Sequence, residues 1–281
     1  MEIFKQIAPF QAYLKDAKLA GKTVGLVPTM GALHKGHISL VETSKAHNSL
    51  TVATIYVNPT QFNNPADLQK YPKTLDKDVA LLEKVGCDAL FCPDNEEMYD
   101  HPSMLKFDFG QLDKVMEGEF RPGHFSGVAL VVSKLFNIVQ PHQAYFGQKD
   151  WQQFAIIRAL VDELKFDLVL HSVPTMREAD GLAMSSRNLR LSESQRQHAD
   201  VLFRALTQAK EALVQGQEVR VVKKMVADMV NNEPEMKLEY FEVADRKNLT
   251  SLTNVKDASP AILCIAAFAG EVRLIDNLFV G

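Results

Sequence analysis

Short apolar runs alternate with segments of helical periodicity from residue 23 to residue 174, and this alternation confines the chain to a narrow set of folds. TVGLVP (23–28) is a β-rich run, and Ile38, Val41 and Lys45 follow it at helical spacing. LTVATIYV (50–57) is a second run. A helix is predicted over 75–85, with Leu75, Val79 and Leu82 on one face and Gly86 as its stop. CDALFCP (87–93) reads as a third strand, and Val128, Val131, Leu135 and Ile138 define a helix over 125–139 that ends before Pro141. QAYFG (143–147) is a fourth strand, 151–164 a further helix, and DLVLHSVP (167–174) a fifth strand. Strands joined through helices imply right-handed crossovers and a parallel sheet, whose ligands bind beyond the carboxyl ends of the strands.

The pattern changes after about residue 175. Ser192 and Gln195 form a capping box for a helix carrying Ala199, Leu202, Leu206, Ala209 and Leu213 and ending at Gly216; another helix fits 218–231. KLEYFEVA, AILCIAAF and VRLIDNLFV then follow as strands without helices between them. The expected architecture is α/β: a Rossmann-like parallel sheet with helices on both faces over 1–175, then a smaller α+β domain over 176–281. The polar segment 174–188, with Pro174 and Gly181, is the expected hinge.

The chain has 281 residues, enough for two cores, and its formal net charge of −4 comes without a basic tail. That balance argues against nucleic acid as the main partner, because phosphate backbones are met by clustered Lys and Arg. No run approaches the roughly 20 apolar residues of a membrane span, and the N-terminal residues lack a signal-peptide pattern, so a cytoplasmic protein is expected. Cys87, Cys92 and Cys264 have neither disulfide-framework nor zinc spacing, and the first two are expected to be buried strand thiols.

PTMGALHKGH (28–37) sits where such a sheet binds ligands, between a strand and the helix after it. His37 and Ile38 stand where a P-loop needs Lys and Ser or Thr, and no strand is followed by G-x-G-x-x-G, so both common nucleotide fingerprints fail. The strand–glycine turn–helix order still aims backbone N–H groups and a helix dipole at an anion, and two imidazoles can add donors. Two alternatives stay open: a metal held by His34 and His37, and a capped helix with solvated histidines. VNPTQF sets Asn58 and Gln61 after the second strand, which an Asn-Pro turn alone also explains. FGQKDWQQF places Lys149 and Asp150 at another helix start, where a cation opposes the dipole unless it meets an anion. Arg121 and His124 flank a Pro-Gly turn, and Ser185, Ser186 and Arg187 form a loop suited to phosphate.

Seven stretches in this order and spacing resemble the pantoate–β-alanine ligase family, of the nucleotidyltransferases with an H-x-G-H signature: VPTMGALHKGH, VNPTQF, YPKTLDKD, EGEFRPGHFSGV, FGQKDWQQ, VPTMREADGLAMSSRN and RLIDN. The resemblance covers nearly the whole chain. It implies joining pantoate to β-alanine with ATP and Mg²⁺ through a pantoyl-adenylate, in a homodimer built through the N-terminal domain. By resemblance, Met30, Gly31, Ala32, Leu33, His34, Lys35, Gly36 and His37 embrace ATP, with His34 and His37 on the phosphates and His37 as general acid. The same resemblance puts Gly147 and Asp150 at the ribose, Lys149 at the phosphates, and Met184, Ser185, Ser186 and Arg187 in a clamp over the triphosphate. His34, His37, Lys149 and Arg187 are the expected catalytic set. Gln61 and Gln153, with Asn58, are expected to bind pantoate, and Gln61 also borders the β-alanine site. Two residues depart from the family pattern: Gln148 replaces a common Glu within the ATP-binding run, and Met176, beside adenine, replaces a frequent β-branched residue. The resemblance names no protein ligand for the metal.

Overall fold

The computed structural model describes residues 1–63, 65–257 and 260–280. The chain begins with β1 (Glu2–Phe4), α1 (Ile7–Leu19), β2 (Val24–Thr29), α2 (Lys35–His47) and β3 (Leu50–Ile55). A 3-10 turn (Pro59–Gln61) precedes the short α3 (Pro65–Gln69), then come α4 (Leu75–Val85), β4 (Ala89–Phe91) and the single-turn helices α5 (Asn95–Met98) and α6 (Glu117–Phe120). α7 (His124–Val139), β5 (Gln143–Gly147), α8 (Trp151–Leu164) and β6 (Val169–Val173) follow. The remainder is α9 (Glu193–His198), α10 (Val201–Val214), α11 (Val219–Asn231), β7 (Met236–Asp245), β8 (Ala261–Ala269) and β9 (Val272–Val280).

Two compact units result, one of Met1–Gln148 with Ile156–Pro174 and the other of Lys149–Ala155 with Thr175–Gly281. In the first, the strands lie in the order β1-β4-β3-β2-β5-β6, with every pairing parallel. The alternation of side chains along each strand divides the core. Val27, Ala53, Leu90 and Tyr145 pack on one face with Leu40 and Val41 of α2 and Leu82 of α4. On the other face Phe10 of α1 stacks on Phe91 at 4.7 Å, and Phe136 of α7 meets Phe146 edge-on at 6.4 Å. Helices therefore cover both faces, as an all-parallel sheet requires.

Three strands pair antiparallel in the second unit, β7-β8-β9, with a register shift between Leu238 and Tyr240. Leu202, Leu206 and Leu213 of α10 and Val222, Val226 and Val230 of α11 form its core with Val243, Leu263 and Ile265. The α/β reading with a smaller α+β part therefore holds. A sixth parallel strand joins the expected five, because β1 is three residues long and shows no period; it pairs through Glu2–Ala89 and Phe4–Phe91. The helix after it buries Phe10, Leu14 and Ala17, one stripe at helical spacing. The single helix expected from Ser192 to Gly216 is two, α9 and α10. Leu202 N–H bonds Ala199 O and Phe203 N–H bonds Asp200 O, a tighter turn than the α-helical one. Cys92 is only half-buried, whereas Cys87 and Cys264 are buried, and all three thiols are free. No helix among the described residues is long and apolar enough to cross a membrane.

Candidate active site

β2 and β5 are neighbours in the sheet, yet the chain leaves β2 toward one edge and β5 toward the other. The crevice of such a sheet opens at that reversal, beyond the carboxyl ends of the two strands. Residues 30–37 follow β2 there, and Gly147 ends β5. Thr29 anchors the turn: its Oγ1 donates to Thr54 O at 2.7 Å and accepts from Gly31 N–H at 3.2 Å. Gly31 (φ 82°) and Ala32 (φ 49°) then both take the left-handed conformation, which swings the chain from strand into helix.

His34 is the N-cap of α2, and it forms a reciprocal pair with His37. His34 Nδ1 accepts from Gly36 N–H at 3.1 Å, and His37 Nδ1 accepts from His34 N–H at 3.3 Å, with the rings 4.1 Å apart. An Nδ1 that accepts a hydrogen bond carries no proton, so each neutral imidazole carries its proton on Nε2. In this tautomer both rings are hydrogen-bond donors at Nε2. No group of three or more His, Cys, Asp or Glu among the described residues could hold a metal ion. The backbone amides behave differently from the simple anion-turn expectation. Ala32 N–H donates to Asp78 Oδ2 at 2.9 Å and Leu33 N–H to Asp78 Oδ1 at 2.8 Å, so these two amides are turned to a carboxylate of the protein itself.

After β3, Asn58 caps the 3-10 turn and is almost wholly buried. Its Oδ1 accepts from Thr60 Oγ1 (3.0 Å) and Tyr99 Oη (3.0 Å), and its Nδ2 donates to Gln61 Oε1 (3.2 Å) and Gly127 O (3.1 Å). Both N–H groups of Asn58 are therefore engaged within the protein, and its side chain braces Gln61. Gln61 Nε2 lies 2.8 Å from Met30 Sδ, which links this turn to the start of the 30–37 loop. His124, at the start of α7, approaches Gln61 O through Nδ1 at 2.8 Å, and Arg121 Nη1 lies 3.2 Å from His124 Nε2. Gly127 lets α7 come this close: a Cβ there would collide with Thr60 O. A glycine inside the apolar helical run FSGVALVV is the sequence signal for that approach.

Gln148, Lys149 and Asp150 form a single 3-10 turn before α8. Within the second unit Lys149 Nζ lies 3.6 Å from Asp150 Oδ1, and Lys149 O accepts from Asn277 Nδ2 at 2.7 Å. Gln153, on the first turn of α8, is half-buried. The segment expected as a hinge contains a closed hairpin. Arg177 and Ala183 form an antiparallel bridge, Met184 N–H donates to Met176 O at 2.9 Å, and Gly181 (φ 93°) makes the turn. Met176 is 41% exposed. Ser185 Oγ accepts from Arg187 N–H at 3.3 Å, Ser186 is buried, and Asn188 Nδ2 ties the loop back to Glu178 Oε1 and Ala183 O, each at 3.1 Å. Asp78 and Asp276 carry no role in the sequence reading. A single Asp in a helix or strand is an ordinary feature there, and their partners lie 46 and 99 residues away.

The model of the family described as "Pantoate-beta-alanine ligase" matches residues 2–279. A pantothenate synthetase from Bacteroides fragilis (strain YCH46) is 49% identical over 278 residues, covering 99% of this chain and 98% of that protein. One from Porphyromonas gingivalis (strain W83) is 46% identical, covering 99% of each. Among solved structures, pantothenate synthetase from Thermus thermophilus superimposes with a TM-score of 0.92 at 41% identity, over 99% of both chains. Pantoate-beta-alanine ligase from Francisella tularensis, solved as a complex with beta-gamma ATP and beta-alanine, gives 0.81 at 32% identity, over 99% of this chain and 97% of that one.

Proposed function

The chain belongs to the pantoate-beta-alanine ligase family, and on that premise we propose that it condenses (R)-pantoate with β-alanine using ATP, through a pantoyl-adenylate, with release of AMP and pyrophosphate. The observation that carries this reading is the reciprocal His34–His37 pair at the sheet's reversal point, which makes both rings Nε2–H donors. When a carboxylate attacks the α-phosphorus, negative charge grows on phosphate oxygens, and preorganised donors stabilise that charge most. His34 and His37 serve the phosphates in this reading, and His37 follows the charge onto the departing pyrophosphate. Residues 30–37 hold the nucleotide with Gly147, Gln148, Lys149 and Asp150, Met176 meets the adenine, and Met184 to Arg187 clamp the triphosphate. Gln61 and Gln153 bind pantoate through neutral amides, which leave the carboxylate nucleophilic. Asn58 acts by holding Gln61.

ATP as the nucleotide is supported by the complex of the Francisella relative. Mg²⁺ would be held mainly by phosphate and water oxygens; it would supply charge neutralisation, to which Lys149 and Arg187 would add positive charge at the phosphates. The division of labour follows the expected domains, 1–175 for ATP and pantoate and 176–281 as a lid, in a cytoplasmic homodimer. The hairpin at 176–184 is the firm stem of that lid, so motion belongs to residues 184–188. Protease sensitivity of this segment should fall when ATP and pantoate are added, and sedimentation at micromolar concentration should give a dimer.

The order of chemistry supplies the decisive experiment. With pantoate present and β-alanine absent, the enzyme should exchange pyrophosphate into ATP, and AMP should leave slowly because the adenylate is kept from water. Adding β-alanine should then release AMP and pantothenate together. Exchange that requires β-alanine, or that runs equally fast without pantoate, would refute the adenylate. A transferase that passes AMP to a phosphorylated acceptor, the competing chemistry for such a site, would release no AMP.

A further inference from the structure

Asp78 is 1% exposed, sits in the first turn of α4, and among the described residues no cation pairs with it. Its carboxylate is met instead by Ala32 N–H (2.9 Å), Leu33 N–H (2.8 Å) and the Thr74 hydroxyl, 3.2 Å from each oxygen. A buried carboxylate is costly unless its lone pairs are met, and charge-assisted bonds of this kind are the strong ones. The two amides it binds belong to the left-handed turn that delivers the chain to His34. Ala32 at φ 49° is the strained member of that turn, for a residue with a Cβ gains nothing from this conformation by itself. Gly31 fits the same arrangement: a Cβ there would stand 3.1 Å from Asp78 Oδ2 and 3.2 Å from Ile55 Cγ2.

We infer that Asp78 is a positioning residue that sets residues 31–34 before any ligand arrives, and thereby fixes the His34–His37 pair as Nε2–H donors. Asp78 acts as an internal anion. It draws the turn's N–H groups inward and away from the crevice, so that phosphate is left to the imidazoles. The pair forms only if His34 N–H and Gly36 N–H point at the two Nδ1 atoms, and this depends on where Leu33 is held. The inference rests on the proposed ATP site for its purpose, and its first test is independent of that site. A misplacement of about 1 Å at such donors costs on the order of 10²-fold in rate.

In the wild-type protein without nucleotide, amide hydrogen exchange at Ala32 and Leu33 should already be strongly slowed, and ATP should add little. Fast exchange that slows only with ATP would overturn the presetting, whether or not the protein proves to be a ligase. In Asp78→Asn, an amide N–H₂ faces backbone N–H. Its rate of ATP–pyrophosphate exchange should drop about 10²-fold, while in the His37→Ala background the same change should cost no more than about threefold. Imidazole ¹⁵N spectra should show Nε2–H for both rings in the wild type and a tautomer mixture in Asp78→Asn. Equal losses in both backgrounds, or unchanged tautomers beside a lost rate, would reduce Asp78 to a purely structural group. Should Asp78→Asn fail to fold, the wild-type hydrogen-exchange result still decides. Absence of any ATP-dependent turnover in the wild type would instead count against the ligase reading alone.

Discussion

Arg177 and Asp276, 99 residues apart in the chain, form a two-pronged pair: Nη1 to Oδ2 at 2.5 Å and Nη2 to Oδ1 at 3.0 Å. Arg177 also donates to Gly181 O at 3.0 Å and lies over the Phe203 ring at 4.1 Å, so one guanidinium pins the hairpin below the 184–188 loop to β9. Burial pushes the Asp276 carboxyl up from its ordinary value, and the Arg177 guanidinium opposes that shift. Removing one partner strands the other. Asp276→Ala should therefore destabilise the protein by about 3–5 kcal/mol in urea unfolding, with a smaller loss for Asp276→Asn. A loss below about 1 kcal/mol for Asp276→Ala would mean that water takes over the exposed side of Arg177.

His37→Ala should lower the rate of adenylate formation by about 10²-fold or more, since it removes an Nε2–H donor from the transition state. The melting temperature should change little by comparison, because the ring tops a helix rather than filling a core. Near-normal single-turnover adenylation in this variant would remove His37 from the chemistry.

Gln61→Ala and Gln153→Ala should raise the KM for pantoate far more than that for ATP. The basis differs between them: Gln61 is positioned by Asn58 and His124, whereas Gln153 is assigned by its place on α8. Asn58→Ala should mimic Gln61→Ala and also cost stability, since it frees Tyr99 Oη and Gly127 O. ATP affinity falling with the pantoate KM unchanged would reverse the assignment.

Gly127→Ala places a methyl group against Thr60 O, a backbone atom that cannot rotate away. Overpacking of this kind costs about 1–3 kcal/mol, and moving the 58–61 turn is the expected relief. Steady-state kinetics should show a raised pantoate KM together with lower stability; a stable variant with unchanged KM would mean that α7 shifts instead.

His171 stacks on Tyr145 at 4.8 Å and bonds Gln143 Oε1 at 2.7 Å, with the His47 ring 5.2 Å away. Burial, and then the His47 charge, hold its pKa below the ordinary 6.5. The unfolded chain thus binds this proton more readily, so the stability due to His171 is present above about pH 6.5 and is lost as pH falls through that value. His171→Gln should flatten the decline of the urea midpoint between about pH 7 and pH 5. An unchanged slope would show that other groups govern this window.

Much of the fold is legible locally. The runs at 23–28, 50–57 and 143–147 are strands because buried parallel strands read as continuous apolar stretches, and Gly86 (φ 75°) ends α4 as a left-handed cap. Residues 30–37 read as part of a strand–turn–helix motif, and the structure runs them from the end of β2 into the first turn of α2. β1 was not legible, since its three residues acquire a partner only when β4 is beside them.

The sequence by itself determined the alternation of elements, the class of sheet and the turn that follows β2, because each depends on periodicities and turns spanning a few positions. Only the tertiary structure decided how those residues are held. It placed Asp78 under Ala32 and Leu33, turned the amides of Asn58 inward, and joined Arg177 to Asp276. Each of these is a buried polar group whose cost must be met by a distant partner, and no local pattern encodes which partner the fold will bring.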